Sequence, residues 1–239
     1  MYGMYGYGYG YGLDPTIILV LIGVALSLWA QGRVNSTFSR YSRVRSMTGM
    51  TGAEAARRLL NAQGIYDVTV QQIAGELTDH YDPRTKTVNL SQSVYGATSV
   101  AAIGVAAHEC GHAMQDNEGY APLRFRSALV PVANFGSSLS WPLILLGLVF
   151  GGLGSPLVEI GILMFSLAVL FQLVTLPVEY NASARAVRLL DAQGILAGEE
   201  VNGTRKVLNA AALTYVAAAA TSILQLLRLI ILFGGRNRR

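Results

Sequence analysis

Between Leu129 and Val178 the chain carries a single charged residue, Glu159, and no other feature restricts its fold as strongly. The run Gly151-Gly152-Leu153-Gly154-Ser155-Pro156 interrupts this stretch with a turn signal. Each half is long enough to cross the roughly 30 Å of a bilayer's hydrocarbon as a helix. The segment 128–178 therefore reads as a transmembrane hairpin with its short connection on the far side. Its first half holds Pro131, Asn134, Ser137, Ser138 and Pro142, which need helix neighbours or a polar cavity, so they are expected to face protein. The second half, Leu157 to Leu176, returns the chain to the near side at Glu179, where Arg185 and Arg188 follow.

The rest of the chain agrees with a membrane protein. Residues are 52% hydrophobic and 13% charged, where a soluble domain carries about 25% charged residues. Thr16 to Ala30 is apolar and is followed by Arg33, Arg40, Arg43 and Arg45, which predicts a transmembrane anchor over 13–31 with its C-terminal end in the cytoplasm. A short buried core helix is the alternative for that run. Residues 1–12 form a Tyr-Gly tail expected to be disordered. The last apolar stretch, 210–233, is interrupted by Gln225 and Arg228 and ends in Arg236-Asn237-Arg238-Arg239. A further span would put those arginines outside, against the positive-inside rule, so this helix is expected to lie against the hairpin or re-enter. The net charge of +4 gathers beside apolar segments and is topology information; no nucleic-acid-binding motif accompanies it. The single cysteine, Cys110, excludes an internal disulfide.

Residues 48–126 are polar enough to fold outside the bilayer. Thr51 followed by Glu54 is a capping-box pattern, and the helix it opens carries Ala55, Leu59 and Leu60 before Gly64 stops it. Val68 to Gln71 and Thr87 to Leu90 have strand-like content, separated by the turn signal Asp82-Pro83. An exposed sheet edge can hold an extended peptide as an added strand, which makes Thr87 to Ser91 a candidate substrate-binding edge; an ordinary edge strand is the competing reading. The octet Arg58 to Ile65 recurs as Arg188 to Ile195, and both copies read as glycine-capped helix ends.

Within this region the alanine-rich run Ser99 to Met114 reads as helix and contains His108-Glu109-Cys110-Gly111-His112. Residues four apart share a helix face, so His108 and His112 can offer two imidazoles to one metal with Glu109 beside it. Two imidazoles suit zinc, and an adjacent carboxylate can take a proton from water activated there. Catalytic zinc requires a third protein ligand. No histidine follows His112, and His80, in an Asp-His-Tyr-Asp turn, is read as a surface or substrate-contact residue. Glu118 follows the motif too closely, and Glu159 belongs at the far side of the membrane. Topology leaves Glu179, which the hairpin returns to the side where His112 begins it; an interfacial anchor carboxylate is the alternative.

The stretch Val105 to Gln115, together with Asp79-His80-Tyr81-Asp82-Pro83 before it and Glu179-Tyr180-Asn181-Ala182-Ser183-Ala184 after a membrane hairpin, resembles the YugP-type membrane zinc metallopeptidases of bacteria. The resemblance runs from Pro15 to Phe233. More distantly the order of parts is similar to the gluzincin membrane proteases, the CAAX prenyl proteases and the heat-shock membrane protease group. Gluzincins usually carry an aspartate four residues after the ligand glutamate, where this chain has Ser183. That departure leaves Ser183 or Asn181 to hold the zinc histidine.

The expected fold is mainly α: integral membrane helices with a gluzincin-like helical zinc-peptidase domain carrying a small β-sheet. The peptidase domain is split between 48–126 and 179–209. The expected function is a zinc endopeptidase of the bacterial cell membrane, multi-pass, with its active site on the cytoplasmic side. Zn2+ would be held by His108, His112 and Glu179, with Glu109 as base and His80 as candidate oxyanion donor. Protein or peptide substrates are implied, and a regulatory partner or homo-oligomer is left open. A non-catalytic zinc-binding scaffold or chaperone-like partner is the competing class, although it has no use for Glu109. An intramembrane site-2-type protease fits less well, because Asp116, Glu118, Arg124 and Arg126 follow the motif and place it at the interface.

Overall fold

The computed structural model describes residues 14–152 and 155–234. In chain order its elements are α1 (Ile17–Ser42), α2 (Gly52–Ala62), β1 (Thr69–Ile73), β2 (His80–Asp82), β3 (Thr87–Ser91), α3 (Gln92–Tyr95), α4 (Val100–Asn117), α5 (Ala121–Gly151), α6 (Pro156–Ala192) and α7 (Glu199–Phe233). The Tyr-Gly tail and Arg236 to Arg239 lie outside the described residues.

Four helices, α1, α5, α6 and α7, are long and apolar enough to cross a membrane. At 1.5 Å per residue, the 37 residues of α6 and the 35 of α7 reach about 55 Å and 52 Å, well beyond the hydrocarbon thickness. The surplus at one end carries chemistry. Glu179 stands on the same unbroken helix as the hairpin's second span, so residue 178 marks a change of surroundings along α6 and no break in it. The anchor helix likewise does not stop near Ala30 but continues to Ser42, with Arg33 and Arg40 on the extension.

The final helix packs against α6, as the expectation that it lies against the hairpin has it, and also against α1. It runs antiparallel along α1: Thr221 Oγ1 donates to the Gly23 carbonyl at 3.1 Å, and Gly203 packs on the Tyr41 ring. Arg228, which interrupts the apolar run, lies 3.5 Å from the Asp14 carboxylate at the start of α1. Pairing across the two helix ends gives that charge a counter-ion.

A second expectation fails in α5. Its buried residues are Leu123, Ala133, Gly136, Ser140, Ile144 and Gly147, whereas Pro131, Asn134, Ser137, Ser138 and Pro142 face away from the protein. Small residues choose the packing face: a Cβ on Gly136 would sit 2.7 Å from the Met164 carbonyl oxygen, so the α5 and α6 backbones touch there. The Ser137 and Ser140 hydroxyls are satisfied within their own helix, donating to the carbonyls of Asn134 and Ser137, each at 3.1 Å.

Outside the bilayer-length segments, α2, the sheet, α4 and the polar ends of α6 and α7 share one core, which includes Leu59, Leu60, Leu90, Ile103, Leu190 and Ile195. The capping box forms: Thr51 Oγ1 accepts from Glu54 N at 3.2 Å, and Glu54 Oε2 accepts from Thr51 N at 2.8 Å. The two octets end alike. Gly64 and Gly194 both take positive φ, and Ile65 N and Ile195 N each donate to a leucine carbonyl five residues back at 3.0 Å.

The sheet order is β1-β3-β2, with β1 parallel and β2 antiparallel to β3. Thr87–Ser91 is therefore the central strand, buried along its length, and is not an edge. The residues around His80, read as a turn, supply the strand that covers it. The sheet's own edges are β1 and β2.

Candidate active site

Helix α4 begins at Ser99, whose hydroxyl accepts from Ala102 N at 3.2 Å, and is buried over most of its length. Alanine and glycine let it be enclosed by neighbours on several sides. His108 and His112 stack one turn apart with ring centroids 4.8 Å apart and planes at 86°. Both Nε2 atoms point at α6, where Glu179 Oε2 lies 3.2 Å from His108 and 3.5 Å from His112. One ligand atom from each of the three groups lies within 4.8 Å of the others.

The far nitrogens are also held. His108 Nδ1 lies 3.1 Å from Ser183 Oγ, and His112 Nδ1 lies 3.0 Å from Gln115 Oε1. An Nδ1–H donated to each oxygen leaves both Nε2 lone pairs free for a metal. Gln115 is fully buried, and its amide nitrogen donates to Val178 O and Asn181 Oδ1, both at 2.9 Å. Asn181 in turn accepts from Arg185 Nε at 2.7 Å. Of the two residues considered for holding a histidine, Ser183 touches the imidazole and Asn181 acts one step removed. Gln115 was not anticipated, although its place three residues after His112 on the same helix is the signal that could have found it.

Glu109 is buried, and burial pushes its carboxyl above the usual carboxylate range, against the attraction of the two histidines. It shares a cavity of about 270 Å³ with His108, Glu179, Asp79, Leu77 and Tyr215. The walls also include Gln31 and Val34 of α1 and Ala211, Ala212 and Thr214 of α7, so with Glu179 and Ser183 of α6 three of the membrane-length helices border it. Burial likewise raises the Asp79 carboxyl, although Ser91 N and Oγ donate to it at 2.8 and 2.9 Å.

His80 stands outside this cavity. It is exposed on β2, its Nδ1 is 2.9 Å from Thr78 O and its Nε2 is 3.2 Å from Asn89 Nδ2. Two groups that sequence reasoning missed lie closer. Tyr215 lines the same cavity as Glu179, and Arg126 Nη2 is 3.9 Å from Glu179 Oε1. Neither belongs to a motif; helix pairing alone brings them in. Glu118 is taken by Arg185 Nη1 at 2.6 Å, and Glu159 sits in the first turn of α6 at the opposite end of that helix.

Four membrane-length helices, with two histidines on the HExxH helix α4 and a glutamate from α6 grouped so that they could hold a metal ion, define the class of membrane proteins with a candidate metal centre. Residues 16–234 match the family described as "Putative neutral zinc metallopeptidase", and the chain belongs to that family. It is 49% identical over 222 residues to the "Putative membrane protease YugP" of Bacillus subtilis (strain 168), which covers 92% of this chain and 98% of the relative. No solved structure matches.

Proposed function

We propose that the chain is a zinc endopeptidase that hydrolyses peptide bonds of membrane-associated proteins at the cytoplasmic face. The observation that carries this reading is the convergence of two Nε2 atoms and a buried carboxylate, with both Nδ1 atoms engaged and a separate buried Glu109 in the same cavity. Two imidazoles and a carboxylate are a zinc donor set, so His108, His112 and Glu179 would hold the ion. When bound, it supplies Lewis acidity, which polarises a peptide carbonyl and lowers the pKa of water.

Glu109 takes the proton from the attacking water and passes it to the departing amine nitrogen. A carboxyl whose pKa burial has raised is a stronger base and a more effective donor for the return step. The developing oxyanion needs an N–H or O–H aimed at it. Both ring nitrogens of His80 are engaged away from the cavity, and that favours the Tyr215 hydroxyl as donor. Arg126, beside Glu179, adds positive charge near the same oxygen atoms. Leu77 and Asp79 bring the approach to β2 into the cavity wall, so an extended substrate would pair beside β2, the edge strand, and not along β3. The α1 and α7 walls favour chains already at the membrane.

The test is a comparison of membrane proteomes from cells carrying wild type and Glu109→Gln, followed by cleavage of an identified substrate with both purified proteins. Glu109→Gln should retain zinc and lose cleavage by at least 100-fold. Equal turnover by the two proteins would remove Glu109 from the chemistry. Indistinguishable proteomes together with full zinc binding would favour the scaffold instead.

A further inference from the structure

Three helices change from apolar to polar at one level: α1 after Ala30, α6 after Val178, and α7, read backwards, before Ala210. A cavity of about 590 Å³ lies at that level, walled by Arg33, Arg40 and Tyr41 from α1, Tyr180 from α6, and Lys206 and Asn209 from α7. It shares no lining residue with the cavity of His108 and Glu179, so a ligand there does not depend on peptidase activity.

No carboxylate lines it. Among the described residues, none of its three cations has an ion-pair partner, and Arg40 has only the Tyr41 ring, 5.7 Å from the guanidinium carbon to the ring centroid. Like charges around one concave surface repel each other, and low-dielectric walls concentrate their field. An anion relieves that repulsion. Phosphate suits two guanidinium forks and an ammonium, with the Asn209 amide and the tyrosine hydroxyls as further donors.

The depth of the cavity decides the source of that phosphate. Trp29, one turn before Arg33, is 55% exposed, as expected of an aromatic side chain at a bilayer interface. From the cavity, exposed apolar side chains continue toward the hydrocarbon on the same helix faces, with Ile22 on α1 and Leu173 on α6, while Leu213 of α7 lines the cavity itself. A soluble anion would use the charged half alone, whereas a phospholipid uses both halves. We propose that this cavity binds an anionic phospholipid, its phosphate held by Arg33, Arg40 and Lys206 and its acyl chains lying along α1, α6 and α7.

The full chain, purified in a non-ionic detergent, should show by native mass spectrometry a one-to-one adduct with phosphatidylglycerol in preference to phosphatidylcholine of the same acyl chains. Arg33→Gln combined with Lys206→Gln should weaken that adduct roughly thirtyfold. Arg84→Gln with Arg124→Gln makes the same change in net charge at exposed positions outside the cavity and should leave the adduct intact. Arg40→Gln alone, expected to weaken it several-fold, serves if the double variant does not fold. Inorganic phosphate and glycerol 3-phosphate should fail to displace the lipid at equal concentration. Displacement by either would replace the lipid with a soluble anion and overturn the proposal. Equal binding of the two lipids, or equal loss in both double variants, would overturn it as well.

Discussion

Gly111 and Ala182 meet backbone to backbone: a Cβ on Gly111 would lie 2.6 Å from the Ala182 carbonyl oxygen. That contact is where α4 crosses α6, one residue before His112 and three after Glu179. Backbone cannot yield as a flexible side chain can, so a methyl group there must push the helices apart. Gly111→Ala should destabilise the protein by about 1–3 kcal/mol and lose most of its zinc. Cys110→Ala, next to it but directed at the Ala56 carbonyl, should keep the metal. Zinc per chain, measured on both purified variants, checks this; full zinc in Gly111→Ala would mean that the crossing is not what sets the donor spacing.

How much of this was legible in the sequence differs from residue to residue. The pairing of His108 with His112 is local, fixed by helical spacing. Glu179 is remote, yet a hairpin with one charge has so few ways to return that the sequence already pointed to it, and the structure brings it to the two imidazoles. The central place of β3 was hidden because strand order depends on pairing between distant segments. The outward face of Asn134 and Ser138 was hidden for a related reason: glycine contacts with α6, and not polarity, orient α5. The pairing of Arg228 with Asp14 was hidden because the two residues are far apart in the chain and meet only through the packing of α1 on α7. Tyr215 carries no local signal, since only the packing of α7 on α6 brings it into one cavity with Glu179.

If Glu179 completes the donor set, Glu179→Ala should lose most of the bound zinc, while Glu118→Ala and Glu159→Ala should retain it. Glu118 spends its carboxylate on Arg185. Metal analysis of the three variants separates the candidates, and a fully loaded Glu179 variant would move the third ligand elsewhere.

Gln115 links His112 to Val178 and Asn181, and through them ties α4 to the turn of α6 that carries Glu179. Gln115→Leu keeps the bulk but removes the acceptor that fixes the imidazole. Zinc affinity, read by competition with a chromogenic chelator, should fall 10- to 100-fold. Unchanged affinity would show that packing alone orients His112.

Asp79 supplies a pH test. Burial raises its carboxyl above the ordinary value of 3.8, so the native state holds a proton that the unfolded chain has already released. Its contribution to stability is therefore fully present below 3.8 and is lost as pH rises through the native value. Asp79→Asn removes that titration. The difference in Tm between variant and wild type should shift in favour of the variant from pH 3.5 upward, by about a few degrees in total, and a difference constant with pH would place the Asp79 carboxyl at its ordinary value.

The pairing of α1 with α7 makes the membrane topology testable with two cysteines in a Cys110→Ala background. Gly152, at the end of α5, and the start of α1 belong to the same face of the bundle, since α1 and α7 are antiparallel and α5 and α6 form a hairpin. Met47 is 88% exposed beyond the other end of α1, near the metal side. Arg33, Arg40, Arg43 and Arg45 all lie toward that second end, which the positive-inside rule predicts to face the cytoplasm. An impermeant maleimide added to intact cells should label Gly152→Cys at once and Met47→Cys only after lysis. The opposite pattern would put His108 and Glu179 outside the cell, and with them the choice of substrates, which would then be exported proteins and not chains emerging at the cytoplasmic face.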